Sequence, residues 1–231
     1  MGTNRIRKPG DGRRAFLRGA GALLAGVGLG ARRLARAATG AYPATVAALL
    51  RAFQRETDAH RRYLAFAGTA SQEGYKGIAY MFTAFATSEG LHARNFKRLV
   101  TQLGGDANAA PTAITPGTTK QNLITAVDDE IDSIDKLYPH TLESIRPEGY
   151  DEATRLVRFA WESERQHREL IQKIRRFSPL MFEQVAKSID QKTGLYFVCQ
   201  ICGSTLNRIP SPSCPVCGGP PAQYVQVPVP G

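Results

Sequence analysis

Two short motifs in this sequence combine a carboxylate with an imidazole at helical spacing. Glu89 precedes His92 by three residues, and Glu164 precedes His167 by the same interval. Residues three apart lie on one face of an α-helix, on neighbouring turns, so each pair can reach a common point. Carboxylate oxygens and imidazole nitrogens at such a point are typical ligands of divalent transition metals.

Each motif also has a glutamate upstream at nearly the same distance. Glu56 precedes Glu89 and Glu130 precedes Glu164, and the second interval is longer than the first by a single residue. Four buried carboxylates would largely protonate unless cations balanced their charge, whereas two divalent ions neutralise them. The set of four glutamates and two histidines is that of two-metal carboxylate sites in helical bundles. We therefore expect these six residues to bind two iron ions, with manganese as the alternative.

The alternative interpretation is that these acids are solvated residues on amphipathic helices, but Glu89 and Glu164 both stand among aromatic residues and leucines. Tyr63 and Tyr138 follow Glu56 and Glu130 by seven and eight residues, about two helical turns. We expect the two tyrosines either to hydrogen-bond the ligand carboxylates or to pack in the core. Two further histidines, His60 and His140, fall outside the pattern and are expected at the surface.

All four cysteines lie near the C-terminus, in two Cys-x-x-Cys pairs separated by eleven residues. They are Cys199, Cys202, Cys214 and Cys217. Four thiolates at this spacing predict a tetrahedral site for one iron or zinc ion, and the sequence does not separate these metals. Two disulfides are the alternative in an oxidising compartment.

An internal repeat indicates the elements that position the first site. Glu73-Gly74-Tyr75 recurs as Glu148-Gly149-Tyr150, and the two Glu-x-x-His motifs are separated by the same offset along the chain as the two triplets. This predicts a duplicated helical hairpin. We expect helices over residues 44–70, from Gly74 to Leu103, from Thr119 onward with a break at Pro139 or Arg146-Pro147, and from Gly149 to Phe177.

The connection between the two hairpins contains Pro111, Pro116 and Gly117 and is long enough to cross the bundle. Four helices with one long crossover and two short turns predict an all-α, ferritin-like four-helix bundle over residues 44–178. The composition changes after Pro179. We therefore expect the cysteines to form a separate small metal knot over residues 194–228.

The chain has a net charge of +10, but nine basic residues and one acidic residue lie within residues 1–37. This segment has a twin arginine at Arg13-Arg14, an apolar run from Gly19 to Ala31 and a small-x-small site ending at Ala37. It predicts a twin-arginine export signal, and hence a periplasmic or other extracytoplasmic location. A disordered basic terminus or an uncleaved anchor is the alternative. The rest of the chain is too weakly basic to indicate nucleic-acid binding, and we expect no stable membrane span after cleavage.

These motifs together resemble the rubrerythrin family, a ferritin-like di-iron domain fused to a rubredoxin-like, zinc-ribbon-like domain. The first hairpin carries the resemblance at Leu49 to Phe53, Glu56, Tyr63 and Glu73 to His92. The second hairpin carries it at Thr119, Asn122-Leu123, Glu130, Tyr138-Pro139 and Glu148 to His167, and the four cysteines match the rubredoxin-like ligands.

The resemblance implies a peroxidase-type oxidoreductase that reduces hydrogen peroxide to water in oxidative-stress defence. Electrons would pass from an iron ion in the cysteine site to the di-iron pair. It also implies a homodimer in which the cysteine site of one subunit approaches the di-iron site of the other. Since nicotinamide cofactors are confined to the cytoplasm, an exported protein would need an extracytoplasmic electron donor, which the sequence does not identify.

Two positions depart from the family pattern. Ser133 stands where the family has a further carboxylate that exchanges with a histidine during turnover, and Asp129 and Asp132 lie on other faces of the helix. We therefore expect a fixed site of four glutamates and two histidines. Trp161 stands one turn before Glu164, where the family tends to have a small residue, and either narrows access to the metals or fills the core.

Ser133 leaves alternatives to peroxide reduction open. The bundle could act as a ferroxidase that consumes Fe(II) with oxygen or peroxide, with the cysteine site holding structural zinc. A third interpretation makes the cysteine domain a zinc ribbon that serves as a docking module. The cysteine site favours peroxide reduction, because an electron-transfer domain is useful only where the di-iron site must be re-reduced.

Overall fold

The structure, a computed structural model, describes residues 1–2, 42–110, 112–175, 184 and 194–229. The export-signal prediction and the predicted end of the last helix at Phe177 therefore lie outside the described residues. The helices are α1 (Pro43–Gln72), α2 (Lys76–Gln102), α3 (Thr119–Asp132), α4 (Tyr138–Ile145) and α5 (Asp151–Arg175). A π-helical segment, Ser133–Leu137, joins α3 to α4, and a 3-10 turn, Arg146–Glu148, follows α4.

The repeated Glu-Gly-Tyr triplet links the two hairpins to each other. The Glu148 carboxylate accepts hydrogen bonds from the backbone N–H groups of Ala44 and Thr45, at 2.8 and 2.7 Å. The Glu73 carboxylate accepts from the N–H of Thr119 at 3.0 Å. Each triplet thus satisfies free donors at the first turn of a helix in the other hairpin, where a negative charge is also favoured. The predicted duplication is therefore visible in the contacts between the hairpins.

The π-helical segment accounts for the one difference in spacing between the repeats. Tyr63 follows Glu56 by seven residues, whereas Tyr138 follows Glu130 by eight. A π turn accommodates one additional residue within an α-helix, so that the residues after it can keep the faces they would otherwise occupy. The segment Ser133–Leu137 lies between Glu130 and Tyr138 and absorbs the additional residue. Both tyrosines consequently face the interior of the bundle.

The third predicted helix is not broken at Pro139, which lies within the first turn of α4. The Tyr138 N–H bonds the carbonyl of Ser133, five residues back, and Pro139 has no N–H to offer the next carbonyl, that of Ile134. The indole N–H of Trp161 donates to this Ile134 carbonyl at 2.9 Å. Trp161 therefore completes the hydrogen bonding of the π segment. The helical break falls at Arg146-Pro147, the other predicted position.

Two hydrophobic clusters fill the bundle and leave a polar layer between them. One cluster contains Phe66, Phe82 and Phe85, and the other contains Leu49 and Phe96. Along α1, α2 and α5, a predicted ligand lies between residues of one cluster and residues of the other. Along α3, the ligand follows residues of the first cluster, and the residues of the second cluster come next in the chain, on α4. Among the helices that the structure describes, none is both long and apolar enough to cross a membrane.

The four cysteines belong to a small domain with a three-stranded antiparallel sheet. Its strands are β1 (Phe197–Cys199), β2 (Thr205–Leu206) and β3 (Tyr224–Gln226), in the order β2-β1-β3. Val198 pairs with Thr205 on one side and with Val225 on the other. This domain packs on the bundle of its own chain, where the Tyr80 hydroxyl donates to the carbonyl of Val227 at 2.8 Å.

Candidate metal centre

The structure brings all six predicted ligands of the bundle together at its centre. Their ligand atoms form two groups of four, each with atoms within 4.8 Å of one another. The groups are Glu56, Glu89, His92 and Glu164, and Glu89, Glu130, Glu164 and His167. Two residues, Glu89 and Glu164, belong to both groups. Two neighbouring cations would be held by these residues, with one glutamate and one histidine belonging to each group alone and Glu89 and Glu164 available to both.

Both histidines turn the same ring nitrogen toward the carboxylates. Nδ1 of His92 lies 3.0 Å from Glu89, and Nδ1 of His167 lies 3.0 Å from the other oxygen of Glu89. Nε2 of His92 faces the backbone carbonyl of Cys202 at 3.0 Å. Because a carbonyl only accepts hydrogen bonds, Nε2 of His92 must carry a proton, which leaves Nδ1 of a neutral ring free for a metal.

The second histidine is oriented in the same way by a threonine. Nε2 of His167 lies 3.2 Å from Oγ1 of Thr205, and the only hydroxyl proton of Thr205 is directed to the carbonyl of Gly203, at 3.0 Å. Oγ1 therefore accepts from the Nε2–H of His167. The cysteine domain thus fixes the tautomer of both histidines in the bundle.

The two tyrosines bind ligand carboxylates, but each reaches across to another helix. The Tyr63 hydroxyl on α1 donates to Glu130 on α3, and the Tyr138 hydroxyl on α4 donates to Glu56 on α1. Both tyrosines are fully buried. Burial, together with the carboxylate beside each hydroxyl, raises the pKa of both tyrosines well above its usual value, so both stay protonated donors.

The charges in the cluster are balanced by protons when no cation is bound. Burial raises the pKa of Glu56 to about 7 and also raises that of Glu164. Burial opposes charging of the imidazoles, but the carboxylates of Glu56 and Glu89 raise the pKa of His92 to about 10. Glu89 likewise contributes to raising the pKa of His167 to about 9. The imidazolium groups in turn hold the pKa of Glu89 well below its usual value, against the effect of burial.

The cluster retains buried ligand atoms that fit metal binding. Glu89 Oε1 and His167 Nδ1 are buried and lie 3.0 Å from each other, and Glu130 Oε2 is buried without a hydrogen-bond partner among the residues that the structure describes. Buried polar atoms are normally paired, so an unpaired carboxylate oxygen beside a carboxylate–imidazole pair is an expected feature of a metal site. The oxygen and nitrogen donor set suits iron or manganese.

The four cysteines form a second, separate group. The Sγ atoms of Cys199 and Cys217 are 3.8 Å apart, and those of Cys202 and Cys214 are 3.5 Å apart. A tetrahedron with metal–sulfur bonds of about 2.3 Å has edges of about 3.8 Å, so the spacing fits a single tetrathiolate-bound ion. All four cysteines are free thiols in the structure, which does not support the disulfide alternative.

Hydrogen bonds polarise two of the four sulfurs, those of Cys199 and Cys214, whereas the hydrogen bond to Cys199 raises the pKa of Cys202 and burial raises that of Cys217. A hydrogen bond from the Cys202 thiol is the main cause that lowers the pKa of Cys199 to about 5. The hydroxyl of Tyr224 donates to Sγ of Cys214 at 3.1 Å. A thiolate is the form that binds metals, and donors directed at sulfur stabilise it.

Direct contacts join the cysteine domain to the ligand-bearing helices. Ser88 Oγ donates to the carbonyl of Gly203 at 2.8 Å, and Ser163 Oγ donates to the carbonyl of Cys202 at 2.9 Å. The sequence reasoning missed both serines, although they immediately precede Glu89 and Glu164 and so belong to the same repeat. It also missed Thr205, for which the sequence carries no comparable signal.

At the position where the family has a further carboxylate, Ser133 accepts hydrogen bonds from an arginine. Ser133 is buried, and its Oγ accepts from Nε and Nη2 of Arg55 at 3.4 and 3.3 Å. Asp129 pairs with Arg55 and Arg62 at 3.5 and 3.0 Å, and Asp132 pairs with the exposed Lys136. Neither aspartate joins the two ligand groups. Arg55 is a further residue near the site that the sequence reasoning did not identify.

His60, His140 and Trp161 lie outside the set of predicted ligands. His140 is exposed, as predicted, whereas His60 is half-buried. Nδ1 of His60 lies 2.6 Å from the carbonyl of Ala86 on α2 and can donate to it. Trp161 is half-buried, packs against the second hydrophobic cluster and does not line the pocket that opens beside the carboxylates.

Comparisons with known proteins agree with this geometry. The family model described as Rubrerythrin matches residues 47–175. A rubrerythrin-2 of Clostridium acetobutylicum is 30% identical over 168 residues, which cover 72% of this chain and 88% of that protein. Nigerythrin of Nitratidesulfovibrio vulgaris is 29% identical over 182 residues, covering 78% of this chain and 85% of that protein.

Solved structures give the same result for the fold. A nigerythrin structure in a mixed-valence state matches with a TM-score of 0.65 and 27% identity, over 79% of this chain and 86% of that chain. The Desulfovibrio desulfuricans bacterioferritin, solved with its di-iron site in different catalytic states, matches with a TM-score of 0.61 and 19% identity, over 66% and 90%. The latter likeness concerns the fold alone. The chain is therefore a member of the rubrerythrin family, with a di-iron-type site in a ferritin-like bundle and a rubredoxin-like four-cysteine domain.

Proposed function

We propose that this protein reduces hydrogen peroxide to water in oxidative-stress defence, with electrons relayed through an iron ion in the four-cysteine site. Reduction of one peroxide to two water molecules takes two electrons and two protons. Two iron ions held by the six bundle ligands would supply the electron pair. Membership of the rubrerythrin family and the donor sets of both sites support this proposal.

The hydrogen bond between His92 and Cys202 carries the relay proposal. Cys202 offers its Sγ to the cysteine site, and its own carbonyl accepts from Nε2 of His92 at 3.0 Å. Nδ1 of the same imidazole faces the bundle carboxylates. One cysteine and one histidine therefore connect the two sites through covalent bonds and a single hydrogen bond. Ser163 donates to the same carbonyl and holds it in place.

The surroundings of the site also suit a redox reaction that returns to its starting state. Tyr63 and Tyr138 hold Glu130 and Glu56, and the cysteine domain holds both histidines, so the ligands are fixed on several sides. Fixed ligands lower the structural rearrangement needed between oxidation states. This agrees with the expectation from Ser133 of a site in which no additional carboxylate exchanges with a histidine.

The test is spectroscopic and uses the whole chain loaded anaerobically with iron. Ferric tetrathiolate absorbs visible light, so a reductant should bleach the band and peroxide should restore it through the bundle site. Protein with zinc in the cysteine site and iron in the bundle is the matched control, since its bundle should react with peroxide without the visible band. Zinc in the cysteine site of iron-supplied protein would contradict the relay. Consumption of added Fe(II) without reoxidation of the cysteine site would support the ferroxidase alternative.

We also propose that the chain is exported by the twin-arginine route, forms a homodimer and takes electrons from an extracytoplasmic donor. The basic and apolar pattern of residues 1–37 supports export. In this structure, the contact between the cysteine domain and the bundle forms within one chain, and exchange of the domain between two subunits would preserve the same contact. Cell fractionation of tagged protein tests the location, and light scattering of the purified protein tests the dimer.

A further inference from the structure

A small pocket opens between α1 and α3 beside the bundle carboxylates. Its lining residues are Arg55, Glu56, Ala59, Arg62, Tyr63, Asp129, Glu130, Ser133 and Glu164. Three of these are predicted metal ligands, at the inner end. Arg55, Arg62 and Asp129 are each about one-quarter exposed, so they form the outer end. The pocket therefore extends from partly exposed residues to three of the predicted ligands.

Arg55 is held across this pocket by several acceptors on the opposite helix. Its Nη2 donates to the backbone carbonyl of Asp129 at 3.0 Å and to Oγ of Ser133 at 3.3 Å. The same nitrogen lies 3.5 Å from Oδ1 of Asp129. A guanidinium with its donors engaged in this way is a fixed charge and not a freely moving one. The small side chain of Ser133 leaves room for the guanidinium of Arg55, and its hydroxyl accepts hydrogen bonds from that group.

The outer end of the pocket carries a net positive charge, because two arginines face a single aspartate, whereas the glutamates of the pocket lie at its inner end. A divalent cation that passes this point is repelled, whereas neutral hydrogen peroxide is not. The same repulsion opposes loss of a bound cation along the same route. The mouth therefore distinguishes between the two candidate substrates of the site, Fe(II) and peroxide.

We propose that Arg55 is a specificity-determining residue that admits small neutral oxidants to the two-metal site and hinders passage of divalent cations. The inference rests on the proposed function and deepens it, since it makes free Fe(II) a poor substrate and retains resident metal during turnover. Arg55 acts through the charge at the mouth and is not required to touch the metals.

The test measures passage of a cation and requires no peroxidase activity. Metal-free protein is mixed anaerobically with Co²⁺, and binding is followed by the visible absorption of the bound ion. Signal from the cysteine site is separated by its intense thiolate-to-cobalt bands. Arg55→Gln should accelerate cobalt uptake by the bundle about tenfold at low ionic strength, because one unit charge close to a divalent ion is removed. Release of bundle cobalt to a chelator should accelerate in the same variant.

Two variants control for the charge and for its position. Arg55→Lys keeps the positive charge and should keep slow uptake. Arg94→Gln removes an exposed arginine on α2, outside the residues that line the pocket, and should leave uptake unchanged. Wild-type rates for Arg55→Gln would overturn the proposal, as would equal acceleration in Arg94→Gln or in Arg55→Lys.

The wild-type protein gives a further test that does not depend on folding of a variant. Salt screens repulsion between exposed charges, so cobalt uptake by the wild-type bundle should become faster as ionic strength rises. Uptake that becomes slower with salt would show attraction at the mouth and overturn the inference. Because these rates are measured without peroxide or reductant, their outcome is independent of the spectroscopic test of the proposed function.

Discussion

His167 and Thr205 come from different domains, and one hydrogen bond between them ties a ligand of the bundle to the cysteine domain. Nε2 of His167 lies 3.2 Å from Oγ1 of Thr205, and both residues are buried. With the bond from His92 to the Cys202 carbonyl, this contact makes the cysteine domain part of the surroundings of the two-metal site. The domain therefore has a structural effect on metal binding in addition to any role in electron transfer.

Replacement of Thr205 tests this structural effect. Thr205→Val keeps the shape of the side chain but removes the acceptor, which leaves the Nε2–H of His167 buried without a partner. We expect metal affinity of the bundle to fall by about tenfold or more, as is typical when the partner of a ligating histidine is lost. The measurement is competition with a metal chelator. Thr205→Ser, which keeps the hydroxyl, should restore affinity, and equal affinities in both variants would contradict the assignment.

Replacement of Gly203 should separate the two domains without altering the cysteines. A Cβ at Gly203 would overlap Nε2 of His92 and lie 2.7 Å from Oγ of Ser88. The backbone φ of Gly203, +82°, is also unfavourable for other residues. We expect Gly203→Ala to slow reoxidation of the cysteine-site iron by peroxide, by about tenfold if overpacking costs about 1.4 kcal/mol. Stopped-flow absorbance gives the rate.

The second cysteine pair offers a matched control for this variant. Gly218 also has a positive φ, +72°, but no atom lies within 4 Å of a Cβ added there. Gly218→Ala therefore introduces comparable backbone strain without contact with the bundle. Similar rates in the two variants would show that strain in the cysteine domain, and not the contact with His92, controls reoxidation.

The two tyrosines should affect different metal ions. Tyr63 binds Glu130, which is grouped with His167, whereas Tyr138 binds Glu56, which is grouped with His92. Tyr63→Phe and Tyr138→Phe should each change one of the two iron environments, because each removes a donor from one unshared carboxylate. Mössbauer spectra of ⁵⁷Fe-loaded protein should show one altered quadrupole doublet in each variant. Equal changes in both doublets would contradict this division of the ligands.

Protonation of the histidines gives a prediction for the metal-free protein. The raised pKa values of His92 and His167, about 10 and 9, mean that both rings should carry two protons at neutral pH. Zinc loading should remove the proton on Nδ1 and leave Nε2–H bonded to the cysteine domain. Nitrogen NMR of ¹⁵N-histidine protein can follow this change, with the exposed His140 as an internal reference. Neutral rings in the metal-free protein would contradict the expectation.

The sign of the effect on stability follows from the same values. A histidine with a raised pKa in the folded state stabilises the metal-free fold fully below the unfolded pKa of about 6.5, and loses this contribution as pH rises through 9 and 10. Thermal unfolding of metal-free protein should therefore show a loss of stability over this range. A His92→Gln/His167→Gln variant should show less loss, and an equal loss would assign it to other groups.

Much of the bundle could be predicted from the sequence because its signals are local or repeated. Helix α1 was expected over 44–70 and spans Pro43–Gln72, and the ligand pair Glu89 and His92 follows from the pitch of a single helix. The constant offset between the repeats then gives the second pair. Cys-x-x-Cys spacing is equally local, since a tight turn brings both sulfurs of a pair to one point.

The π-helical segment could be located in part, because the additional residue between Glu130 and Tyr138 is visible when the repeats are aligned. The form that it takes could not be predicted, since an added residue can be accommodated in a turn, a kink or a loop. In the folded chain, Pro139 withholds one N–H and Trp161, 27 residues after Ile134, supplies the replacement donor. Packing of two separate helices decides this outcome.

The sequence by itself determined the set of candidate ligands: four glutamates, two histidines and four cysteines, with the spacing that assigns them to two sites. Tertiary structure decided how those sites meet, through Ser88, Ser163 and Thr205, and what occupies the space beside Ser133. The physical reason is that ligand spacing depends on the geometry of one helix or one turn. The contacts of Thr205 with His167 and of Arg55 with Ser133 join residues 38 and 78 positions apart, and only the packing of whole elements brings them together.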